Sequence, residues 1–322
     1  MRSIIEILSD GQYVSGEEIS RELGISRAAV WKRIGVLKEQ GWQIESGGKR
    51  GYRLESGDSL AAELWTGKLT TKIMGRGENR CLEVTDSTNV QVKQMAIAGA
   101  PGGSLCVAEC QTAGKGRLGR QWNSPAGQGL WISLLLRPKL TPAHAPLITL
   151  CTAMAMSRAV RETTGAKCDI KWPNDLVYQG KKICGILLEL GADPDTIEYV
   201  VVGTGLNVRK GAYPPELAER ATSIEEFAEV PKRREIIVHY LAAMEDLIGR
   251  LEEGGFSAIM EEYRQNSCTL GSRVHVSGSV DFTGVAEAID ETGALFVRDD
   301  ADGQLRRVLS GDVSVRGVMG YV

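Results

Sequence analysis

Apolar and polar residues follow three successive rhythms along the chain. Over residues 1–55 the apolar positions recur at helical spacing. Ile4, Ile5, Ile7 and Leu8 precede Asp10-Gly11, Ile19 and Leu23 precede Gly24, and Val30, Ile34 and Leu37 precede Gly41. Ser15, followed by Glu17 and Glu18, predicts the N-cap of the second helix, and Ser26 predicts that of the third. Residues 42–44 and 52–54 are short extended runs around the turn SGGKRG. Two helices joined by Gly24-Ile25-Ser26 and followed by a hairpin predict a winged helix-turn-helix over residues 1–57. Trp31 lies in the third helix, where an aromatic is expected to pack rather than to meet a ligand.

Beyond the linker Ser56-Gly57-Asp58 the rhythm changes. Runs at 81–84, 105–108, 130–136, 170–172, 182–189 and 199–203 predict strands, and 89–98, 146–163 and 233–252 predict helices. This mixture over residues 58–270 predicts an α+β domain with a sizeable mixed sheet rather than a doubly wound fold. Residues 271–322 carry VHVSG, FTGVAEAID, ALFVRDD, LRRVLSG and VSVRG separated by turns, the pattern of a small β-barrel.

Composition adds bounds. The chain has 322 residues, 43% hydrophobic and 25% charged, ordinary globular usage. No apolar run is long enough to span a bilayer, and the acidic N-terminus lacks the apolar core of a secretory signal. The seven cysteines form no C-x-x-C pair and the three histidines are far apart, so no protein metal site is expected. Free thiols in a cytoplasmic protein are the expectation.

The net charge of −3 hides local excess. Residues 26–53 hold seven Lys/Arg against two acidic residues, concentrated on the third helix and the wing. That clustering suits phosphate neutralisation, and the candidate DNA contacts are Ser26, Arg27, Lys32, Arg33, Lys49 and Arg50. Residues 87–139 hold six basic residues against Glu109 alone. Within them, GKGRLGR alternates glycines with cations in a segment read as a flexible loop, suited to a polyphosphate but not a Walker A motif. Lys171-Trp172-Pro173-Asn174-Asp175 reads as a strand end and tight turn. Asp175 is open to holding a metal or another cation, or to capping the turn. Asp86-Ser87-Thr88-Asn89 would cap a helix, and Gly203-Thr204-Gly205-Leu206-Asn207 ends a strand with small residues.

DSTN, QTAGKGRLGRQW, KWPNDL with KKICGILLEL after it, and GTGLN stand in the order and spacing of biotin protein ligases. The middle domain resembles that family throughout. ISRAAVWKRIGVLKEQGW resembles the winged helix of its bifunctional members, and residues 271–322 resemble their SH3-like domain. The resemblance implies that ATP and biotin, with Mg2+, give biotinoyl-AMP and pyrophosphate. Biotin then passes to a lysine of the biotin carboxyl carrier protein of acetyl-CoA carboxylase. It also implies repression, by an adenylate-bound homodimer on biotin operator DNA, without membrane attachment.

Matched by motif, Ser87, Thr88 and Gln111 would line the biotin pocket, with Gly114, Gly116, Gly185 and Gly203 beside them and Trp122 as a wall. Arg117 would meet the phosphate and Lys182 both carboxylate and phosphate, the two catalytic cations. Lys115 and Arg120 would add charge near the nucleotide, with Asn207 near the adenylate. The loop departs from the family's frequent GRGRRGR at Lys115 and Leu118, and residues 220–227 contain no tryptophan to stack on adenine. The alternatives are a repressor on a degenerate ligase and a ligase for lipoate or octanoate.

Overall fold

The computed structural model describes residues 3–39, 42–55, 57–193, 195–311 and 313–317. The first unit contains α1 (Ile4–Leu8), α2 (Gly16–Leu23), α3 (Arg27–Glu39) and the hairpin β1 (Ile44–Ser46) and β2 (Tyr52–Leu54). Ser15 Oγ accepts the Glu18 N–H at 3.1 Å, and Ser26 Oγ accepts that of Ala29 at 3.2 Å, so both serines cap. Gly24 ends α2 at φ 64°, a conformation that favours glycine. Gly41 and Ser56, assigned above to a helix end and the linker, lie outside the described residues. Ile4, Ile5, Leu8, Ile19, Val30 and Ile34 share a small core that Leu64 completes from beyond the hairpin. Trp31 is not part of it. The expectation that this aromatic packs is overturned, because Val30 and Ile34 take the inward face of α3 and leave Trp31 72% exposed.

The large sheet runs β3 (Asn79–Thr85), β4 (Leu105–Gln111), β5 (Gly129–Leu136), β9 (Ile197–Asn207), β8 (Lys181–Ala192), β7 (Asp175–Tyr178), β6 (Asp169–Lys171), in that spatial order. Only the β3–β4 pair is parallel among its ladders. Alternation along the strands builds two apolar faces. Cys106, Leu135 and Val201 meet Val92 and Met95 of α4 (Thr88–Ile97) on one side. Leu105, Leu134 and Val202 join the main core on the other. There α5 (Ala145–Thr164) and α6 (Arg233–Gly254) pack together. Two elements were not anticipated: α7 (Ser257–Asn266) and β7, which is the strand that returns after the Pro-Asn-Asp turn.

The last unit is an antiparallel sheet of β10 (Arg273–Gly278), β11 (Phe282–Ile289), β12 (Leu295–Asp299), β13 (Leu305–Val308) and β14 (Val313–Gly317), ordered β13-β12-β11-β10-β14. Its Val274, Val276, Ala286 and Leu295 belong to the main core, so it is packed onto the middle domain and not tethered beside it.

Two arginines at the start of α6 anchor the linker that follows the first unit. Arg233 is 3% exposed. Its guanidinium donates to Asp58 Oδ2 at 2.7 Å, Glu109 Oε2 at 2.8 Å and the Gly129 carbonyl at 3.0 Å. Arg234 donates to the Gly57 carbonyl at 2.9 Å, and Lys68 pairs with Asp10 of the first unit at 2.6 Å. Among the described residues no helix is long and apolar enough to cross a membrane.

Candidate active site

The sheet brings the polar motifs to one end. Thr88 opens α4 beside Gln111, the last residue of β4. Gln111 Oε1 accepts the Thr88 N–H at 2.8 Å, and its Nε2 donates to Ser124 Oγ at 2.8 Å. The helix start is therefore satisfied by Gln111 across the sheet, while the Ser87 hydroxyl makes no capping bond. Beneath, Ser133 Oγ lies 2.7 Å from Thr88 Oγ1 and 2.6 Å from Asn89 Oδ1. Gly203 is there because a Cβ would strike the Asn89 side chain.

Gly185 of β8 and Gly205 of β9 are directly opposite in the ladder. Their missing side chains let the Trp122 indole lie against the sheet: a Cβ at Gly185 would sit 2.8 Å from the ring. The Trp122 Nε1–H is buried and has no acceptor among the described residues. Above the same ring, at 5.1 Å from a ring centroid, sits the Lys182 ammonium, which also pairs with Asp175 Oδ1 at 2.6 Å. Asp175 thus pairs with a cation, one of the roles left open by the sequence.

Lys171 is buried near Asp175 and Lys182. Burial lowers its amine to about 8, opposed by Asp175 and reinforced by Lys182. Arg117 donates through Nη1 to Asn174 Oδ1 at 2.8 Å and through Nη2 to the Ser310 carbonyl.

The segment read as a flexible loop is a small hairpin. Lys115 bridges to Gln121, the Gly116 N–H donates to the Arg120 carbonyl at 2.7 Å, and Leu118 (φ 56°) and Gly119 (φ 70°) form the tip. Glycine spacing conceals this because the turn needs only two left-handed residues, and here one is a leucine.

A cavity of about 340 Å3 unites most of the predicted residues. Ser87, Thr88, Gln111 and Trp122 line one part of it, and Lys115, Gly116, Arg117 and Arg120 border it from the hairpin. Lys182, Gly185, Gly203 and Asn207 complete the strand side. Gly114 is absent from the lining; its carbonyl accepts the Trp122 N–H at 2.9 Å, and it supports the wall from behind. The sequence reading missed Ser314, Val315 and Arg316, which the last domain contributes, and the rim of Tyr213, Pro214 and Leu217. A lone arginine in a terminal strand carries no signal of its own. Pro214-Pro215, marking an irregular segment, was the only clue to the rim.

On the first unit, Arg27, Lys32 and Arg33 are exposed on α3. Lys49 and Arg50 lie in the turn of the wing, where Arg50 stacks over Tyr13 at 4.2 Å. Ser26 uses its hydroxyl as a cap, and Arg53 is paired with Glu45 at 2.6 Å.

Comparison with known proteins finds three matches along the chain. Residues 1–53 match an HTH domain, 81–207 match the Biotin/lipoate A/B protein ligase family, and 269–316 match the Biotin protein ligase C terminal domain. The Bifunctional ligase/repressor BirA of Bacillus subtilis is 35% identical, over 98% of this chain and 98% of its own. The chain belongs to the biotin protein ligase family. Its likeness to the Biotin--[acetyl-CoA-carboxylase] ligase of Mycobacterium tuberculosis is 34% identity over 80% of this chain and 97% of that one. The biotin protein ligase of Aquifex aeolicus, solved with biotin and ATP, superposes with a TM-score of 0.64 at 30% identity, covering 74% of this chain and 99% of that one.

Proposed function

We propose that the chain is a bifunctional enzyme that ligates biotin to a carrier protein and represses transcription in response to biotin. One observation carries the reading: Lys182, Arg117 and Lys171 converge on a single cavity floored by two glycine-bearing strands. A biotin carboxylate and the triphosphate of ATP repel each other, and three cations offset that repulsion where the new bond forms. The carboxylate attacks the α-phosphorus and pyrophosphate leaves. Lys182, steadied by Asp175, faces the carboxylate and phosphate, and Arg117, steadied by Asn174, faces the phosphate. Trp122 walls the biotin side and offers its unpartnered N–H to an acceptor on the ligand. The product is a water-sensitive mixed anhydride, which the hairpin at 114–122 and the strand carrying Arg316 shield. A lysine amine of a biotin carboxyl carrier protein then attacks the acyl carbon, and AMP leaves.

Mg2+ would enter with ATP and offset the charge of its phosphates; the described residues contain no group of three or more His, Cys, Asp or Glu that could hold a metal ion. The winged helix reads operator DNA, and retention of the adenylate favours the homodimer that occupies two half-sites. Free thiols suit a protein that works in a reducing cytoplasm. None is a nucleophile for this reaction where burial pushes it to about 12, as for Cys81, Cys106, Cys151, Cys168 and Cys268.

The test is pyrophosphate exchange into ATP with biotin, lipoate or octanoate, followed by transfer to a purified carrier domain. Biotin-dependent exchange and carrier labelling are expected. Exchange driven by lipoate alone replaces the substrate, and no exchange with any acid leaves a repressor.

A further inference from the structure

Of the six tryptophans in the chain, Trp31 alone is exposed, at 72%, and it is the only aromatic among the exposed large hydrophobic residues described. Scattered surface leucines and valines need no explanation, but a fully presented indole on a short helix leaves a large apolar surface in water. Its position is specific. Ala28, Trp31, Lys32 and Gly35 fall at i, i+3, i+4 and i+7 and form a continuous exposed stripe on α3. The neighbours before and after the indole on that stripe, Ala28 and Gly35, are small, and a Cβ built on Gly35 would meet nothing within 4 Å. The indole therefore stands proud of the helix, with room for another surface to close on both sides.

Charge says which surface. Arg27 and Arg33 flank the stripe, and neither they nor its own Lys32 make an ion pair among the described residues. An apolar protein partner would have to desolvate these cations, whereas duplex DNA neutralises them with phosphates and offers an apolar group in its major groove, the thymine methyl. We infer that Trp31 is a sequence-reading residue of the DNA-binding unit, placing its indole against thymine methyl groups in the major groove while Arg27, Lys32 and Arg33 hold the backbone. The inference rests on the DNA-binding half of the proposed function and adds a specificity determinant to it.

The experiment uses the full chain with biotin and ATP present. A duplex is recovered from a random-sequence pool by the wild-type chain, and its thymines are replaced singly by uracil, which removes only the methyl. Trp31→Ala should bind the selected duplex about ten-fold more weakly, and Trp31→Phe should restore most of the loss. At the thymines where uracil weakens wild-type binding, the same replacement should leave Trp31→Ala unaffected. Biotin-dependent pyrophosphate exchange serves as the control that the variants are folded. Wild-type affinity in Trp31→Ala, or uracil penalties that persist in it, overturns the inference. A change in oligomeric state at unchanged DNA affinity also overturns it and assigns the stripe to a protein contact. If the wild-type chain enriches no sequence at all, the DNA-binding reading itself fails and takes this inference with it.

Discussion

The cations of α3 stand in solvent without ion pairs among the described residues, whereas three cations of the ligase cavity, Lys182, Arg117 and Lys171, are partly or wholly withdrawn from water. Arg27, Lys32 and Arg33 are exposed, while Lys182 is held by Asp175, Arg117 by Asn174 and the Ser310 carbonyl, and Lys171 is buried beside them. The difference fits the role proposed for each. A reader that slides along phosphates gains from mobile, hydrated charge whose counterions are released on binding. A site that stabilises charge developing on one phosphorus gains from cations fixed before the substrate arrives, because no reorganisation is then needed during the reaction.

Arg233 anchors the linker between the two regions to the middle domain, so its loss should have the largest effect. Arg233→Ala leaves Asp58 and Glu109 facing each other's surroundings without their shared cation. Urea unfolding should show a loss of about 3–5 kcal/mol. Arg233→Lys should recover only part, since one ammonium cannot reproduce the forked bonds to both carboxylates and the Gly129 carbonyl. Unchanged stability in Arg233→Ala would mean that the joint is held by the apolar packing around Leu64 instead.

The comparison itself is tested by removing one cation from each side. Lys182→Ala should lower biotin-dependent pyrophosphate exchange by about 10²–10³-fold, the scale for losing one preorganised charge, and leave unliganded binding to random-sequence duplex unchanged. Arg27→Glu with Lys32→Glu should do the reverse. DNA affinity should fall by about a hundred-fold at low salt, with a shallower dependence on salt concentration, while exchange keeps its wild-type rate. A double charge reversal that weakens DNA binding equally at low and high salt would contradict the view of α3 as a hydrated phosphate contact.

What the sequence made legible divides along the same line. The reader's elements follow local rules: Ser15 and Ser26 cap, Gly24 ends a helix, and periodic Ile and Val residues mark the buried face. Trp31 was misjudged because the stripe of α3 that faces outward is defined only once Val30 and Ile34 have chosen the inward one, which is a property of the packed unit. In the ligase cavity the motif residues were legible by resemblance, but their partners were not. Asp175 meets Lys182 across the β7–β8 ladder, Arg117 reaches a carbonyl of the last domain, and Arg316 arrives from a strand more than a hundred positions from Lys182. Such contacts depend on sheet order and domain docking, neither of which has a local pattern.

The smallest predicted effect sharpens the comparison through pH. Lys171 is lowered to about 8 by burial, so below that value its ammonium is present in both folded and unfolded chains and the folded one bears the cost of burying it. Between about 8 and the ordinary lysine value of 10.5, the folded chain has released this proton and the unfolded chain has not. The unfolded state then binds more protons, and folding stability rises with pH across that window. From about pH 7 to about pH 9.5 the gain attributable to Lys171 should be about 2 kcal/mol, read as the difference between the wild-type chain and Lys171→Met in urea unfolding at both values. A flat difference would mean that Asp175 compensates the buried ammonium in full, making this cation as indifferent to burial as those of α3. A difference that grows with pH would show that the ligase cavity keeps a cation at a cost to the fold, ready for an anionic substrate to relieve.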